Sequence, residues 1–188
     1  LNYYQSPGFE ISVGDINNDT NQEIVVLGYS CSVEICYTSD VDSQIWVIDS
    51  NGKNLENWPK TIEGYPNRGI SLADINKDGY LEILTASIND SFYILNYTAG
   101  IIKGPINLFT NTENYYTIDS LIRAPTVSDL NNDGNLEIAL KSYKMTGSLY
   151  ECVYVLDNNA QIINGYPICE DNIGIKPAEN VILGNIDN

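Results

Sequence analysis

An acidic segment recurs along the chain at a nearly constant spacing, and this repeat constrains the fold more than any other feature. The sequence DINNDTNQEI begins at Asp15, and close copies begin at Asp74 and Asp129. A truncated fourth copy begins at Asn185. The four starting points are 59, 55 and 56 residues apart. A constant period of this length indicates that each unit is one supersecondary structure that packs against its neighbours.

A second block recurs in phase with the acidic segment. It is a run of β-branched, aromatic and leucine residues that ends in Asp or Asn, at residues 45–49, 92–96 and 153–157. Each run is followed by turn-forming residues (Gly52, Gly100 and the pair Asn159 and Ala160) and then by Pro59, Pro105 or Pro167. Two strand-like runs separated by a turn predict a hairpin in every unit.

Each unit therefore contains four short strands. The first strand leads into the acidic segment (residues 11–14, 70–73, 125–128 and 181–184), and the second follows it (24–27, 83–86 and 138–140). The hairpin supplies the third and fourth strands. Since no window has helical periodicity, the sequence predicts an all-β fold, a β-propeller of four-stranded blades. Small residues (Gly14, Ala73, Ser128 and Gly184) end each first strand, as expected where innermost strands converge or where a tight turn follows.

These blocks together resemble the FG-GAP or VCBS repeats of the integrin alpha-subunit propeller and of many microbial surface proteins. The resemblance covers essentially all of residues 1–188, and Ala124 with Pro125 echoes the family signature. It implies a single propeller domain, commonly of seven blades, with calcium in the loops that join the first and second strands. A propeller needs at least about four blades to close. About three are present, so we expect a fragment that is completed by further blades or by another copy of the chain.

The acidic loops at residues 15–23, 74–82 and 129–137 are candidate calcium sites, and a fourth loop starts at residue 185. Oxygen ligands at alternating positions 1, 3, 5, 7 and 9 let a turning backbone wrap one cation, and position 7 contributes its carbonyl. Oxygen-only ligation with three carboxylates suits Ca²⁺ better than octahedral Mg²⁺. EF-hands place their last carboxylate at position 12 before a helix, whereas here Glu at position 9 begins a strand. The predicted ligands are Asp15, Asn17, Asp19, Asn21 and Glu23, then Asp74, Asn76, Asp78, Tyr80 and Glu82, and then Asp129, Asn131, Asp133, Asn135 and Glu137.

The first loop departs from the other two at position 6. Thr20 stands where the other loops have Gly79 and Gly134. A β-branched residue resists a positive φ, so we expect this loop to be distorted and its site weak or empty. For all three loops the alternative is a set of Asx-turns without metal. The sequence therefore predicts two or three Ca²⁺ ions per chain.

Cysteine usage favours an oxidising compartment. Four cysteines occur without a Cys-x-x-Cys pair, and proximity in sequence predicts disulfides Cys31–Cys36 and Cys152–Cys169. Four buried free thiols in a cytosolic protein are the alternative. Asn18, Asn89 and Asn96 begin possible N-glycosylation sequons. We expect an extracellular or cell-surface location and a sequence that begins inside a longer mature chain.

Charge and hydropathy exclude several partners. Nine Lys plus Arg against 25 Asp plus Glu give a formal net charge of −16. This charge repels nucleic acid and the anionic leaflet of a membrane. No apolar run approaches the roughly 18 residues of a membrane span. We therefore expect neither nucleic-acid binding nor membrane insertion.

The face opposite the calcium loops is the predicted ligand face, since the resemblance assigns recognition to it. Arg68 and Arg123 each lie six residues before the first Asp of a loop, so neighbouring blades would bring them together as an anion-binding pair. Internal salt bridges are the alternative. Tyr115 and Tyr116 lie in a long connection, where they could stack on sugars, pack against a protein or fix the loop to the rim.

Three functions remain open. The first is a calcium-stabilised recognition or adhesion module that binds a protein or glycan at the cell surface. The second is a structural subunit of a surface layer or filament. The third is part of a polysaccharide-degrading enzyme, whose acid and base could come from Asp40, Asp42, Glu113 and Asp119. The chain has no His and no recognisable catalytic constellation, so we predict that it is not an enzyme.

Overall fold

The computed structural model describes residues 10–29, 42–64, 66–87, 91–108, 124–145 and 149–171. These residues form three four-stranded antiparallel sheets and no helix. The first sheet contains β1 (Glu10–Gly14), β2 (Glu23–Tyr29), β3 (Ser43–Ile48) and β4 (Lys60–Ile62). The second contains β5 (Pro66–Ala73), β6 (Glu82–Ser87), β7 (Ser91–Leu95) and β8 (Ile101–Asn107). The third contains β9 (Thr126–Ser128), β10 (Glu137–Met145), β11 (Leu149–Leu156) and β12 (Ile168–Asp171).

Every sheet is a simple meander in which strands pair in chain order. The all-β class and the four-strand repeat predicted from the sequence are confirmed in the described residues, which do not form a closed barrel. The boundaries differ in places. β9 begins at Thr126 rather than at Pro125, because a proline has no N–H to donate to a ladder. β10 and β11 extend well beyond the apolar runs, since their pairing continues from Ile138 with Leu156 to Met145 with Leu149.

The hairpin turns of the three sheets share one hydrogen-bonding pattern. Asp49, Asn96 and Asp157 each accept with Oδ1 from the backbone N–H four residues on, at 2.9, 2.7 and 2.8 Å. The positive φ of the turn falls on Gly52, Ala99 and Ala160. Gly100, which the sequence suggested as a turn residue, therefore lies one place after the left-handed position. The prolines that follow, Pro59, Pro105 and Pro167, are all in cis peptide bonds.

The first strands of the three sheets lie side by side. Ser12 in β1 donates with Oγ to the carbonyl of Ile70 in β5 at 3.4 Å, and Ser71 in β5 donates in the same way to Pro125 beside β9. A Cβ placed on Gly69 would collide with the backbone of Ala124. Only glycine permits this close approach of the second and third sheets.

Two apolar clusters fill the spaces between consecutive sheets. One joins the first sheet to the second, and the other joins the second to the third. The first contains Val25, Leu27, Ile45 and Val47 from the first sheet with Ile70, Ile83, Tyr93 and Leu95 from the second. The second contains Leu84, Ala86, Phe92 and Ile94 from the second sheet with Ile138, Leu140, Tyr154 and Leu156 from the third. Each sheet therefore has an apolar partner on one or both faces.

The predicted disulfide between Cys152 and Cys169 is confirmed. The two residues are direct cross-strand partners in β11 and β12, with their Cα atoms 4.1 Å apart. The bond links the short edge strand β12 to its neighbour β11 in the third sheet. The predicted Cys31–Cys36 pair lies outside the described residues.

Replacing both Cys152 and Cys169 with Ala is expected to lower the free energy of unfolding by about 3 kcal/mol, because the bond closes a loop of 17 residues and restricts the unfolded chain. Urea denaturation of the oxidised wild type and the double variant measures the difference. Wild type treated with reductant is a second comparison and should lose at least as much, because reductant also opens the predicted Cys31–Cys36 bond. An unchanged midpoint in both would show that the cross-link does not stabilise the third sheet.

Candidate functional site: the acidic loops

The three acidic loops occupy equivalent places in the three sheets. The first loop (residues 15–23) joins β1 to β2, the second (74–82) joins β5 to β6, and the third (129–137) joins β9 to β10. They therefore emerge at the same end of their sheets. Lys77 of the second loop donates with Nζ to Asn135 Oδ1 of the third at 3.0 Å. The loops thus lie close enough for side chains of one to contact the next.

Position 1 of each loop organises the turn through its carboxylate. In the second loop Asp74 accepts the N–H of Asp78 at one oxygen and the N–H of Gly79 at the other, both at 3.0 Å. In the first and third loops, Asp15 and Asp129 accept from the backbone N–H groups at positions 5 and 6 in the same way, at 2.8 to 3.2 Å. One carboxylate therefore fixes the direction of two successive peptides in every copy.

Positions 3 and 5 continue the pattern. Asn76 accepts the N–H of Asp78 at 2.8 Å and donates with Nδ2 to Asp78 Oδ2 at 3.0 Å. Asp78 Oδ1 in turn accepts the N–H of Tyr80 at 2.9 Å. The first and third loops repeat these bonds between the corresponding residues. Three copies thus share one hydrogen-bond geometry built from side-chain oxygens.

Position 9 places a buried carboxylate beneath each loop. Glu23, Glu82 and Glu137 are all buried at the start of the second strand of their sheet. Each accepts with Oε2 from the backbone N–H at position 2, where Ile16, Ile75 or Leu130 stands, at 2.7 to 3.1 Å. In the second loop the other oxygen, Glu82 Oε1, accepts from Asn76 Nδ2 at 3.1 Å. One amide nitrogen is therefore shared by the carboxylates of Asp78 and Glu82.

Burial and like charge change the pKa values of two buried glutamates, and hydrogen bonding changes those of two exposed loop aspartates. Loss of hydration raises the pKa of Glu23 and Glu82, and the nearby loop aspartates add to the rise. The N–H of Asn21 lowers the pKa of Asp19, and that of Asn135 lowers the pKa of Asp133. The carboxylates of Glu23 and Glu82 therefore lie in negative surroundings that favour a positive charge.

The first loop is not distorted, contrary to the expectation from Thr20. Thr20 adopts a φ of 75°, close to the 90° of Gly79 and the 86° of Gly134. Its N–H donates to Asp15 Oδ2 at 2.8 Å, as the glycines do in their loops. The hydrogen bonds to Asp15 hold the backbone in the left-handed region, so the cost of the β-branched side chain appears as strain and not as a changed loop shape.

Thr20→Gly is expected to raise the free energy of unfolding by about 1 kcal/mol, because glycine adopts this φ without steric strain. Chemical denaturation without divalent metal provides the measurement. Ser50→Gly, an exposed turn substitution two residues before Gly52, is a control that should not stabilise the chain. A loss of stability in Thr20→Gly would show that Thr20 is not strained.

The donor set of each loop suits a hard cation. It contains carboxylate, amide and carbonyl oxygens only, which is the chemistry that Ca²⁺ prefers. Within the described ranges, no group of three or more His, Cys, Asp or Glu side chains is arranged to hold a metal ion by itself. Amide oxygens at position 3 and carbonyl oxygens at position 7 would therefore have to complete a site.

Most residues predicted for the ligand face lie outside the described part of the chain. Arg123, Tyr115 and Tyr116 belong to this group, and the possible glycosylation residue Asn89 also lies outside the described residues. Arg68 lies in β5. Asn18 is exposed at position 4 of the first loop, whereas Asn96 uses Oδ1 to accept from Gly100 N and Thr98 Oγ1.

Sequence reasoning missed Tyr97, Trp58 and Lys77 near the loops, and it missed the ring contact of Tyr80. The ring of Tyr80, considered only for its carbonyl, stacks on Tyr97 at 4.5 Å between centroids. Trp58 of the first sheet donates with Nε1 to the carbonyl of Tyr97 at 2.9 Å. Lys77 is the third, and its position as a lone cation inside an acidic repeat could have drawn attention to it. These contacts connect the loop end of the second sheet to its neighbours.

In the described ranges, no helix is long and apolar enough to cross a membrane. No protein-family model matches the chain, and no curated protein matches it. Among solved structures, the crystal structure of the V. cholerae biofilm matrix protein Bap1 is similar, with 18% sequence identity and a TM-score of 0.45. The alignment covers 84% of this chain and 30% of Bap1, so the chain spans less than a third of that protein. A likeness of this extent assigns no function to the chain.

Proposed function

We propose that the chain is a calcium-binding β-propeller module, similar to FG-GAP or VCBS repeats, that acts in extracellular recognition or adhesion. The observation that carries the proposal is the threefold repetition of one loop geometry at the same end of three consecutive sheets. Because the three loops keep the same oxygen atoms available to a metal ion, we expect them to share one role. The adjacent inner strands also support blades arranged around an axis.

Calcium would be held by the side chains at positions 1, 3, 5 and 9 and the carbonyl at position 7. When bound, the ion supplies positive charge to carboxylates that are otherwise buried beside other acidic groups. Three ions would change the formal charge from −16 to about −10 and relieve repulsion within the chain. The role is therefore structural, since the ion stiffens the loop end of each sheet.

An extracellular location is supported by the disulfide of the third sheet. Such bonds persist in oxidising compartments, which are also rich in free calcium. Recognition would use the connections at the end of the sheets opposite the acidic loops, where Arg68 and Arg123 are proposed to bind an acidic sugar or a carboxylate.

Metal content and ligand binding test this proposal together. The chain is dialysed against about 1 mM Ca²⁺, a concentration typical of extracellular calcium modules, and bound metal is counted by mass spectrometry. Two or three Ca²⁺ per chain are expected, with little displacement by Mg²⁺. No retained ion would overturn the metal assignment.

Recognition is tested on arrays of neutral and acidic glycans in Ca²⁺ and in EDTA. We expect calcium-dependent binding to acidic glycans that is lost when Arg68→Ala and Arg123→Ala are combined. Lys53→Ala with Lys60→Ala removes the same charge from the hairpin of the first sheet and is the matched control. Binding that survives the arginine substitutions would refute the anion site, and no binding to any glycan would refute glycan recognition.

A further inference from the structure

The side chain at position 4 of one acidic loop reaches the following loop at both junctions between the described sheets. A Cβ placed on Gly79 of the second loop would lie 3.4 Å from Nδ2 of Asn18 in the first loop. A Cβ placed on Gly134 of the third loop would lie 3.7 Å from Nζ of Lys77 in the second loop. The repeat therefore places position 4 of one loop beside position 6 of the next.

The residue at position 4 decides whether this contact carries a charge. Asn18 and Asn132 are neutral, whereas Lys77 is the only Lys or Arg within the three loops. Its Nζ donates to Asn135 Oδ1 at position 7 of the third loop, at 3.0 Å. The second loop therefore faces a neutral amide, and the third loop faces a cation.

The charge of Lys77 acts on a proposed calcium ligand of the third loop. The N–H of Asn135 contributes most to the lowered pKa of Asp133, and the positive charge of Lys77 adds to the effect. A cation that attracts this carboxylate repels any other cation that the carboxylate holds. Lys77 is exposed, so solvent weakens both effects without cancelling them.

Lys77 also has a backbone conformation that suits asparagine better than lysine. The backbone at position 4 has a positive φ in every loop, 56° at Asn18, 62° at Lys77 and 58° at Asn132. Asparagine is enriched at such angles because its short polar side chain can form local hydrogen bonds, and lysine lacks this advantage. The second loop therefore has a less suitable residue at the position whose side chain meets the third loop.

We propose that Lys77 is a tethered cation that partly neutralises the third loop and lowers the affinity of this loop for calcium. The inference rests on the proposed calcium function and adds a regulatory residue to it. Without metal, the ammonium group offsets part of the negative charge around Asp133. With Ca²⁺ in the third loop, the same group repels the ion, so this loop fills at a higher calcium concentration than its own ligands would require.

Calcium titrations followed by heteronuclear NMR of the backbone amides measure each loop separately. The N–H groups of Thr20, Gly79 and Gly134 donate to the first Asp of their loops, so their resonances report binding at that carboxylate. In Lys77→Asn we expect the calcium midpoint of Gly134 to fall by about threefold at low salt, because a unit charge and a nearby divalent ion repel each other even in water. The midpoint of Gly79 should change less, because Nζ of Lys77 lies at the third loop.

Three further variants separate the charge of Lys77 from its position. Lys77→Arg keeps the charge and should keep the midpoint of Gly134 close to that of wild type. Asn18→Lys places a cation at the preceding junction and should raise the midpoint of Gly79. Lys53→Asn removes an exposed lysine from the hairpin turn of the first sheet and is the matched control, which should leave the midpoint of Gly134 unchanged. Salt at about 0.5 M should reduce the difference between wild type and Lys77→Asn.

The outcomes distinguish the role of Lys77 from the calcium function itself. If calcium shifts the amide resonances but Gly134 has the same midpoint in wild type and Lys77→Asn, only the role of Lys77 is refuted. A midpoint that rises in Lys77→Asn would show that the lysine assists calcium by holding Asn135, and would overturn the inference. A larger change at Gly79 than at Gly134 would overturn it too, because Lys77 would then act on its own loop. If calcium shifts none of these resonances, the calcium function and the role of Lys77 are both refuted.

Discussion

Calcium is expected to raise the thermal unfolding temperature of this chain strongly, and magnesium only slightly. A ligand that binds only the folded state at a hundred times its dissociation constant adds about 2.7 kcal/mol per site, and up to three loops can contribute. Magnesium is smaller, demands octahedral geometry and gives up its water reluctantly, so it should gain little from these loops. Differential scanning calorimetry in EDTA and across titrations of both ions provides the measurement.

Glu82→Gln separates a metal site from an Asx-turn because its two expected effects have opposite signs. In EDTA the substitution removes a buried charge beside Asp74 and Asp78, so the variant should unfold at a higher temperature than wild type. In Ca²⁺ it removes a ligand, so the gain from calcium should shrink by about one site. Glu56→Gln changes an exposed carboxylate between β3 and β4 and should alter neither value by much.

The stability of the calcium-free chain should also depend on pH through the buried Glu82. Because the pKa of Glu82 is raised in the folded state, folding favours the protonated form. This contribution is complete below the unfolded pKa and is lost as pH rises through the folded pKa. Between these values wild type in EDTA should lose stability faster than Glu82→Gln. Identical pH slopes, or equal calcium gains in the two proteins, would contradict a charged carboxylate that ligates the ion.

The repeat made much of this fold predictable. The acidic segments, the apolar runs after them and the turn residues mark each strand, because each element depends on local chemistry that recurs in register. The disulfide followed from the same reasoning, since Cys152 and Cys169 flank one hairpin. The propeller, the bound calcium and the ligand face stay predictions.

Two features were beyond the sequence because they depend on contacts between distant residues. The shape of the first loop was wrongly predicted, since the propensity of Thr20 is overridden by the hydrogen bonds of Asp15. The burial of equivalent isoleucines was also hidden. Ile24 and Ile83 have the same repeat position and both follow a Glu, but among the described residues only Ile83 has another sheet packed against it.

The different burial of Ile24 and Ile83 predicts that the same substitution costs very different amounts of stability at the two positions. Ile83→Ala is expected to lower the free energy of unfolding by about 3 to 4 kcal/mol, because it removes three buried carbon atoms and leaves a cavity between the first and second sheets. Ile24→Ala is the matched control, since it has the same chemistry and strand position but its side chain is 41% exposed. It should cost less than about 1 kcal/mol. Urea denaturation of wild type and both variants gives the two values.

The ratio of the two losses tests whether the sheets form one packed unit. If the second sheet folded without the first, Ile83 would be as exposed in the working molecule as Ile24, and both substitutions would cost little. Ile138→Ala extends the comparison, because its side chain is buried between the second and third sheets and its loss should match that of Ile83. A large loss at both buried positions and a small loss at Ile24 would establish that the second and third sheets are each stabilised by the sheet before them in the chain.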